Sequence, residues 1–184
     1  SMLRYYYEDT GDTEKNEVHK SLFHGLKIME QGEEYTKHMG DYPVINLTLK
    51  SAKQPSFESA YGKLRDDIAD EFQRHQYIME SGKMNEREKA LFQKIADREA
   101  GYDNYSGSLK FLSKCLYQAT GKQAVILIDE YDVPLENAYF RGFYEEMADF
   151  IRSLFESALK TNDYLQFAVI TGCLRISKES IFTG

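Results

Sequence analysis

Gln123-Ala124-Val125-Ile126-Leu127-Ile128-Asp129-Glu130-Tyr131-Asp132 is the stretch on which the reading of this chain turns. Five apolar residues run unbroken from Ala124 to Ile128, and three carboxylates follow within four positions. A short continuous apolar run with β-branched residues is the pattern of a strand buried on both faces, as in a parallel sheet. In open parallel sheets the chemistry lies just beyond the carboxyl ends of the strands, and Asp129 and Glu130 stand there. Two readings are open at this point. The acids either end a strand in solvent or complete a Walker B strand. In the second case the Asp helps to hold Mg2+, usually through water, and the Glu orients or polarises the water that attacks a γ-phosphate.

Two further strands are expected around it. Pro43-Val44-Ile45-Asn46-Leu47-Thr48-Leu49 is largely apolar, with Pro43 acceptable at the first position. Leu165-Gln166-Phe167-Ala168-Val169-Ile170 is a third apolar run, closing on Thr171-Gly172. The expected fold class is therefore α/β, a three-layer parallel sheet with strands near 43–49, 124–129 and 166–171. The chain between the first two strands is longer than one crossover requires and reads as helical, a helical elaboration over about 56–120. Ser56 to Glu80 is amphipathic through Phe57, Tyr61, Leu64, Ile68, Phe72 and Met79. Asn85 suits the cap of a helix carrying Leu91, Phe92 and Ile95. Gly101 to Gly107 reads as a loop. Ser108 to Ala119 reads as a helix facing inward through Leu109, Leu112, Cys115 and Leu116 and ended by Gly121. After the central strand, Tyr131 to Asn137 reads as a loop. Phe143, Met147, Phe150, Ile151, Leu154, Phe155 and Ala158 then mark an amphipathic helix, with Glu145 and Glu146 where the helix dipole favours acids.

Before the first strand, Met2, Leu3, Tyr5 and Tyr6 would line one face of a short helix packed on the sheet. The three consecutive tyrosines also admit a base-stacking reading. Val18, Leu22, Phe23, Leu26 and Met29 recur at helical spacing between Lys15 and Gln31.

With 184 residues, 42% hydrophobic and 14% aromatic, the chain has enough material for one domain with a core. Its net charge of −7 argues against broad, sequence-blind binding to nucleic acid but leaves room for a local basic patch. No apolar run is long enough to span a bilayer, and the first residues do not form a charged-then-apolar leader. Cys115 and Cys173 sit in apolar patterns without ligand spacing and read as reduced core thiols of a cytoplasmic protein. Histidines 19, 24, 38 and 75 show no metal-ligand spacing and receive no role.

The polar groups near the strand ends each carry two readings. Thr171 either satisfies backbone at a strand terminus or senses a γ-phosphate and holds the attacking water. Arg175 and Lys178 form either a solvated basic turn or a contact to phosphate or a neighbouring subunit. Asp132 either caps the turn or supports the water shell of a metal.

Leu127-Ile128-Asp129-Glu130-Tyr131-Asp132-Val133-Pro134-Leu135 and the stretch from Phe167 to Phe182, which includes Thr171-Gly172-Cys173-Leu174-Arg175-Ile176-Ser177-Lys178, together resemble the bacterial AAA-ATPase-like family. Tyr42-Pro43-Val44-Ile45-Asn46-Leu47 is similar to its second strand. Ser1-Met2-Leu3 with the following aromatic cluster is similar to the helix after its phosphate-binding loop. The resemblance implies a sheet of P-loop NTPase type, ATP and Mg2+ as cofactors, and a nuclease-like PD-(D/E)xK domain in many longer members. It implies Glu130 and Thr171 as catalytic, Asp129 and Arg175 at the nucleotide, and Asp129 and Asp132 toward the metal. Nucleic acid as a target follows from this analogy alone.

One departure bears on function. A P-loop needs glycines whose N–H groups cradle phosphate, then Lys and Ser or Thr. The Gly-Lys pairs here, Gly62-Lys63, Gly82-Lys83 and Gly121-Lys122, are followed by neither. The expectation is an incomplete ATPase domain over 1–184, inactive alone and without tight ATP binding, whose open 166–171 edge favours self-association. The alternative is an interaction scaffold that keeps a degenerate ATPase fold. A metal nuclease fits poorly, because neither Leu47-Thr48-Leu49-Lys50 nor Arg175-Ile176-Ser177-Lys178 places an acid two residues before its Lys.

Overall fold

Every side chain from Ala124 to Ile128 is buried, which only a strand covered on both faces and flanked on both sides achieves. A computed structural model describes residues 1–173, and Ala124–Asp129 is its central strand, β2. It pairs in parallel with β1, Val44–Thr48, on one side and with β3, Leu165–Ile170, on the other. Register runs from Val44 opposite Val125 to Thr48 opposite Asp129, and from Val125 opposite Phe167 to Ile128 opposite Ile170, with a shift near Ala124. The α/β class and all three expected strands are thus observed. Arg175 and Lys178 lie outside the described residues.

Side-chain alternation divides the core between two sheet faces. Ile45, Leu47, Ala124, Ile126 and Ile128 point into the larger core. It is filled by helices α4 (Phe57–Arg74), α5 (Glu86–Ala96), α7 (Ser108–Thr120) and α9 (Tyr144–Phe155). Val44, Val125 and Leu127 point the other way, against Tyr7, Tyr42, Phe167 and Val169. That second layer is thin. Its helix, α1 (Met2–Tyr7), packs on β1 and β2. The face is met only in part: Tyr6 turns inward as expected, with Tyr7 beside it, while Met2, Leu3 and Tyr5 are exposed. The tyrosines are therefore largely packing groups.

Several element boundaries also differ. The expected Lys15–Gln31 helix is α2, Thr13–Ser21, capped by Asp12, followed by turns and a 3-10 segment. Phe23 is buried, whereas Val18, Leu22 and Leu26 face solvent, so the helical spacing there did not mark a core face. A four-residue helix, α3 (Glu33–Thr36), follows. α4 begins at a Ser56–Ser59 capping box and ends at Arg74, short of Glu80, with a 3-10 segment continuing to Ser81. α5 starts with the reciprocal Asn85–Glu88 box. Residues expected as a loop form α6 (Tyr102–Ser106), because Tyr105 is drawn into the core and donates its hydroxyl to Ile95 O at 3.0 Å. The expected 131–137 loop is mostly α8, Val133–Arg141. Pro134 sits in its first turn, where a missing N–H costs nothing, and Leu135 and Ala138 are buried. Cys115 is a core thiol pushed up to about 12 by burial, but Cys173 is exposed, because the apolar strand has already ended.

α4 stops where its side chains grip β1. The outer edge of β1 would leave backbone groups unpaired. Glu71 Oε1 accepts from Asn46 N at 2.7 Å, and Arg74 Nη2 donates to Val44 O at 2.5 Å. His75 Nε2 lies 3.1 Å from the same carbonyl. Arg74 also holds Glu71 and the buried Glu8, and Arg4 donates to Glu8 at 3.0 Å. Three segments, α1 with its end, β1 and the end of α4, therefore meet in one charge cluster. Removing one partner from such a cluster strands another charge and costs about 3–5 kcal/mol. We expect Arg74→Ala to lose that much in urea unfolding.

Burial alone would raise the Glu71 carboxyl, but the hydrogen bonds and charges of His75 and Arg74 hold it at about 2, against an ordinary 4.5. Its stabilising contribution is complete above pH 4.5 and is lost as pH falls through about 2. The difference corresponds to roughly 3 kcal/mol. Acid titration of stability should show this loss, and Glu71→Gln should flatten it.

Candidate functional site

The three strands end level with one another. Thr48 is opposite Asp129 in the register, Leu49 N donates to Asp129 O at 3.0 Å, and Thr171 N donates to Ile128 O at 2.8 Å. Thr48, Asp129 and Thr171 therefore stand side by side at the carboxyl edge, although they come from distant parts of the chain.

Their side chains are joined. The Thr171 hydroxyl donates to Asp129 Oδ1, and Glu130 N donates to the same oxygen at 3.0 Å. Asp129 is exposed, and Oδ2 receives no hydrogen bond from the described residues. Glu130 adopts a left-handed backbone, φ 56°. A non-glycine residue pays a steric penalty there of about 1–2 kcal/mol. The bend places its carboxylate beside β1, where Thr48 Oγ1 donates to Oε2 at 3.3 Å. Strain of this kind concentrates at functional sites.

The turn beneath is tightly built. Tyr131 N donates to Thr171 O at 3.1 Å, and Cys173 N donates to Asp132 Oδ2 at 2.9 Å. Asp132 is buried, and its backbone oxygen accepts from Glu136 N at 2.8 Å at the start of α8. A Cβ on Gly172 would lie 2.6 Å from Asp132 Oδ1 and 2.7 Å from the Tyr131 ring. Only glycine lets the 171–173 turn close against Tyr131 and Asp132.

The structure thus brings together Asp129, Glu130 and Thr171 in one site, with Asp132 supporting it from below. Thr48 and Gly172 were missed as site residues in the sequence. Thr48 carried one signal, its position at the end of the first apolar strand. Among the described residues no group of three or more His, Cys, Asp or Glu side chains stands ready to hold a metal. The donor set is one exposed carboxylate with an oxygen to spare. That suits a hard cation that keeps most of its water and takes the remaining ligands from phosphate.

The backbone argument separates two glycine-related changes. Glu130→Gly relieves the left-handed strain, so stability should be unchanged or higher by up to about 1 kcal/mol. Gly172→Ala overpacks the turn and should cost about 1–3 kcal/mol. Urea unfolding of the two variants checks both.

Comparison with known proteins agrees with this picture at the level of the family. A protein of Azotobacter chroococcum mcd 1, described as "Uncharacterized protein in vnfD 5'region", is 33% identical over 69 residues. The match covers 37% of this chain and 13% of that relative's length. No solved structure matches. The family described as "Predicted AAA-ATPase" matches residues 1–182, and the chain, with its parallel sheet and its acids at the strand ends, belongs to that AAA-ATPase-like family.

Proposed function

We propose that this chain is the part of an ATP-hydrolysing domain that places the metal-binding and water-positioning acids, in a sheet of P-loop NTPase type. The observation that carries the reading is the hydrogen-bonded set at the strand ends: Thr171 on Asp129, with Glu130 turned out beside it and held by Thr48. Asp129, fixed through Oδ1, would hold Mg2+ or its water shell through Oδ2. Bound Mg2+ would neutralise charge on the β- and γ-phosphates. Glu130 orients the attacking water and takes its proton, the part of a general base. Thr171 keeps Asp129 in place and stands where a γ-phosphate oxygen or the water would be sensed. Asp132 serves the ion at second hand, by fixing the turn that carries Thr171.

The Gly-Lys pairs of this sequence lack the Ser or Thr of a P-loop, so the phosphate cradle has to come from residues other than these. With Mg-ATP, this chain alone should release no phosphate above background. Turnover by the chain alone that Glu130→Gln abolishes would overturn that expectation. In a protein that joins the chain to a phosphate-binding loop, Glu130→Gln should reduce steady-state release by about 10²-fold or more. Retained function in that variant, and in Asp129→Ala, with folding intact, would favour the interaction-scaffold reading instead.

Assembly is the second part of the proposal. Side chains of α4 close the outer edge of β1, whereas β3 is only half-buried and has no further strand beside it among the described residues. We take the β3 edge, 166–171, as the place where another strand, including that of a second copy, would pair. Light scattering should show mass rising with concentration. A constant monomer mass at high concentration would overturn this.

A further inference from the structure

A cleft of about 530 Å³ opens beside Glu130, on the side away from Thr171. Lys50 and Lys53, just after β1, form one wall, and Val133, Glu136, Asn137, Phe140 and Arg141 of α8 form the other. Asn137 Nδ2 donates to Gln54 O at 2.6 Å, which ties the two walls together. The cleft is therefore a built feature and not a gap between loose segments.

Its lining is unusual for this chain. The net charge is −7, yet three cations converge here against Glu130 and Glu136. Among the described residues Lys50, Lys53 and Arg141 make no ion pair, although Glu130 and Glu136 line the same cleft. At the mouth, α8 buries Leu135 and Ala138 but leaves Tyr139 62% and Phe140 76% exposed. Tyr139 also meets the Tyr144 ring edge-on, whereas Phe140, the more exposed of the two, lines the cleft.

Unpaired cations on two walls with exposed rings beside them match the chemistry of a single nucleic-acid strand. Cations track its phosphates, and flat side chains stack on its bases without reading sequence. A duplex hides its bases and asks for a broad basic face, against which a net charge of −7 argues. We propose that the cleft binds single-stranded nucleic acid, its phosphates between Lys50, Lys53 and Arg141 and a base against Phe140. The cleft shares Glu130 with the proposed hydrolytic site, but the binding proposed here requires no ATP and no metal.

The test is fluorescence anisotropy of a labelled oligo(dT) of about 20 nucleotides, without nucleotide or metal. With three cations on the strand, the salt slope should be about −2, a loss of about 20-fold in affinity from about 50 to about 200 mM salt. Lys50→Ala with Lys53→Ala should lower both the affinity and that slope. Phe140→Ala should weaken binding about tenfold at unchanged slope, because it removes stacking and no charge. All three side chains are exposed, so thermal unfolding of the variants should match the parent. Absence of binding at low salt would overturn the proposal. So would equal affinity for a duplex or for polyglutamate, or a Phe140→Ala variant that binds as tightly as the parent.

Discussion

The structure depends on how the first edge of the sheet is closed. A three-stranded parallel sheet has two edges, and each exposes a row of backbone donors and acceptors. At β1 these groups meet Glu71, Arg74 and His75, which leave the end of α4 and bond to Asn46 N and Val44 O. Taking those charges out of water is costly unless every one finds a partner. Glu8 and Arg4 complete the set, and in doing so bind the segment after α1 to the same edge. One electrostatic cluster therefore settles where α4 ends, which edge of the sheet is closed, and where the thin second layer is anchored.

With β1 held, the carboxyl ends of the strands become a rigid platform. Thr48, Asp129 and Thr171 are level because the ladder sets the register, not because their side chains attract one another. The hydrogen bonds among them then restrict each carboxylate to one orientation. Glu130 needs a strained backbone to reach Thr48, and Gly172 must lack a side chain for the 171–173 turn to seat. Both are local costs borne by a well-packed core, and both fall at the place where the family's chemistry is expected. The parallel sheet adds its own reason, since the loops that follow its strands all emerge on this side.

The same platform separates two surfaces. Toward β3 lie Thr171 and a strand edge with no further strand beside it among the described residues. Toward β1 lies the cleft between Lys50, Lys53 and α8, fixed by the Asn137–Gln54 bond. Glu130 stands between them, bonded to Thr48 on the β1 side and adjacent to Asp129 on the other.

The strands, their parallel class and the positions of Asp129, Glu130 and Thr171 were legible in the sequence. A continuous apolar run such as Ala124–Ile128 is stable only when buried on both faces, so its pattern states its environment. The amphipathic helices over 57–74, 86–96, 108–120 and 144–155 were legible for a similar reason, because spacing records which side chains leave water. The spacing of Val18, Leu22 and Leu26 misled, since periodicity marks a possible core face and not the presence of a core against it. The helix over 133–141 was hidden because proline is as common in turns as in the first turn of a helix, where Pro134 stands. What tertiary structure alone decided are the contacts between distant polar groups: Thr48 with Glu130, 82 residues apart, and Glu8 with Arg74, 66 apart. Such pairs leave no local pattern, because a hydrogen bond is set by distance in space, and that distance exists only after the sheet has fixed its register.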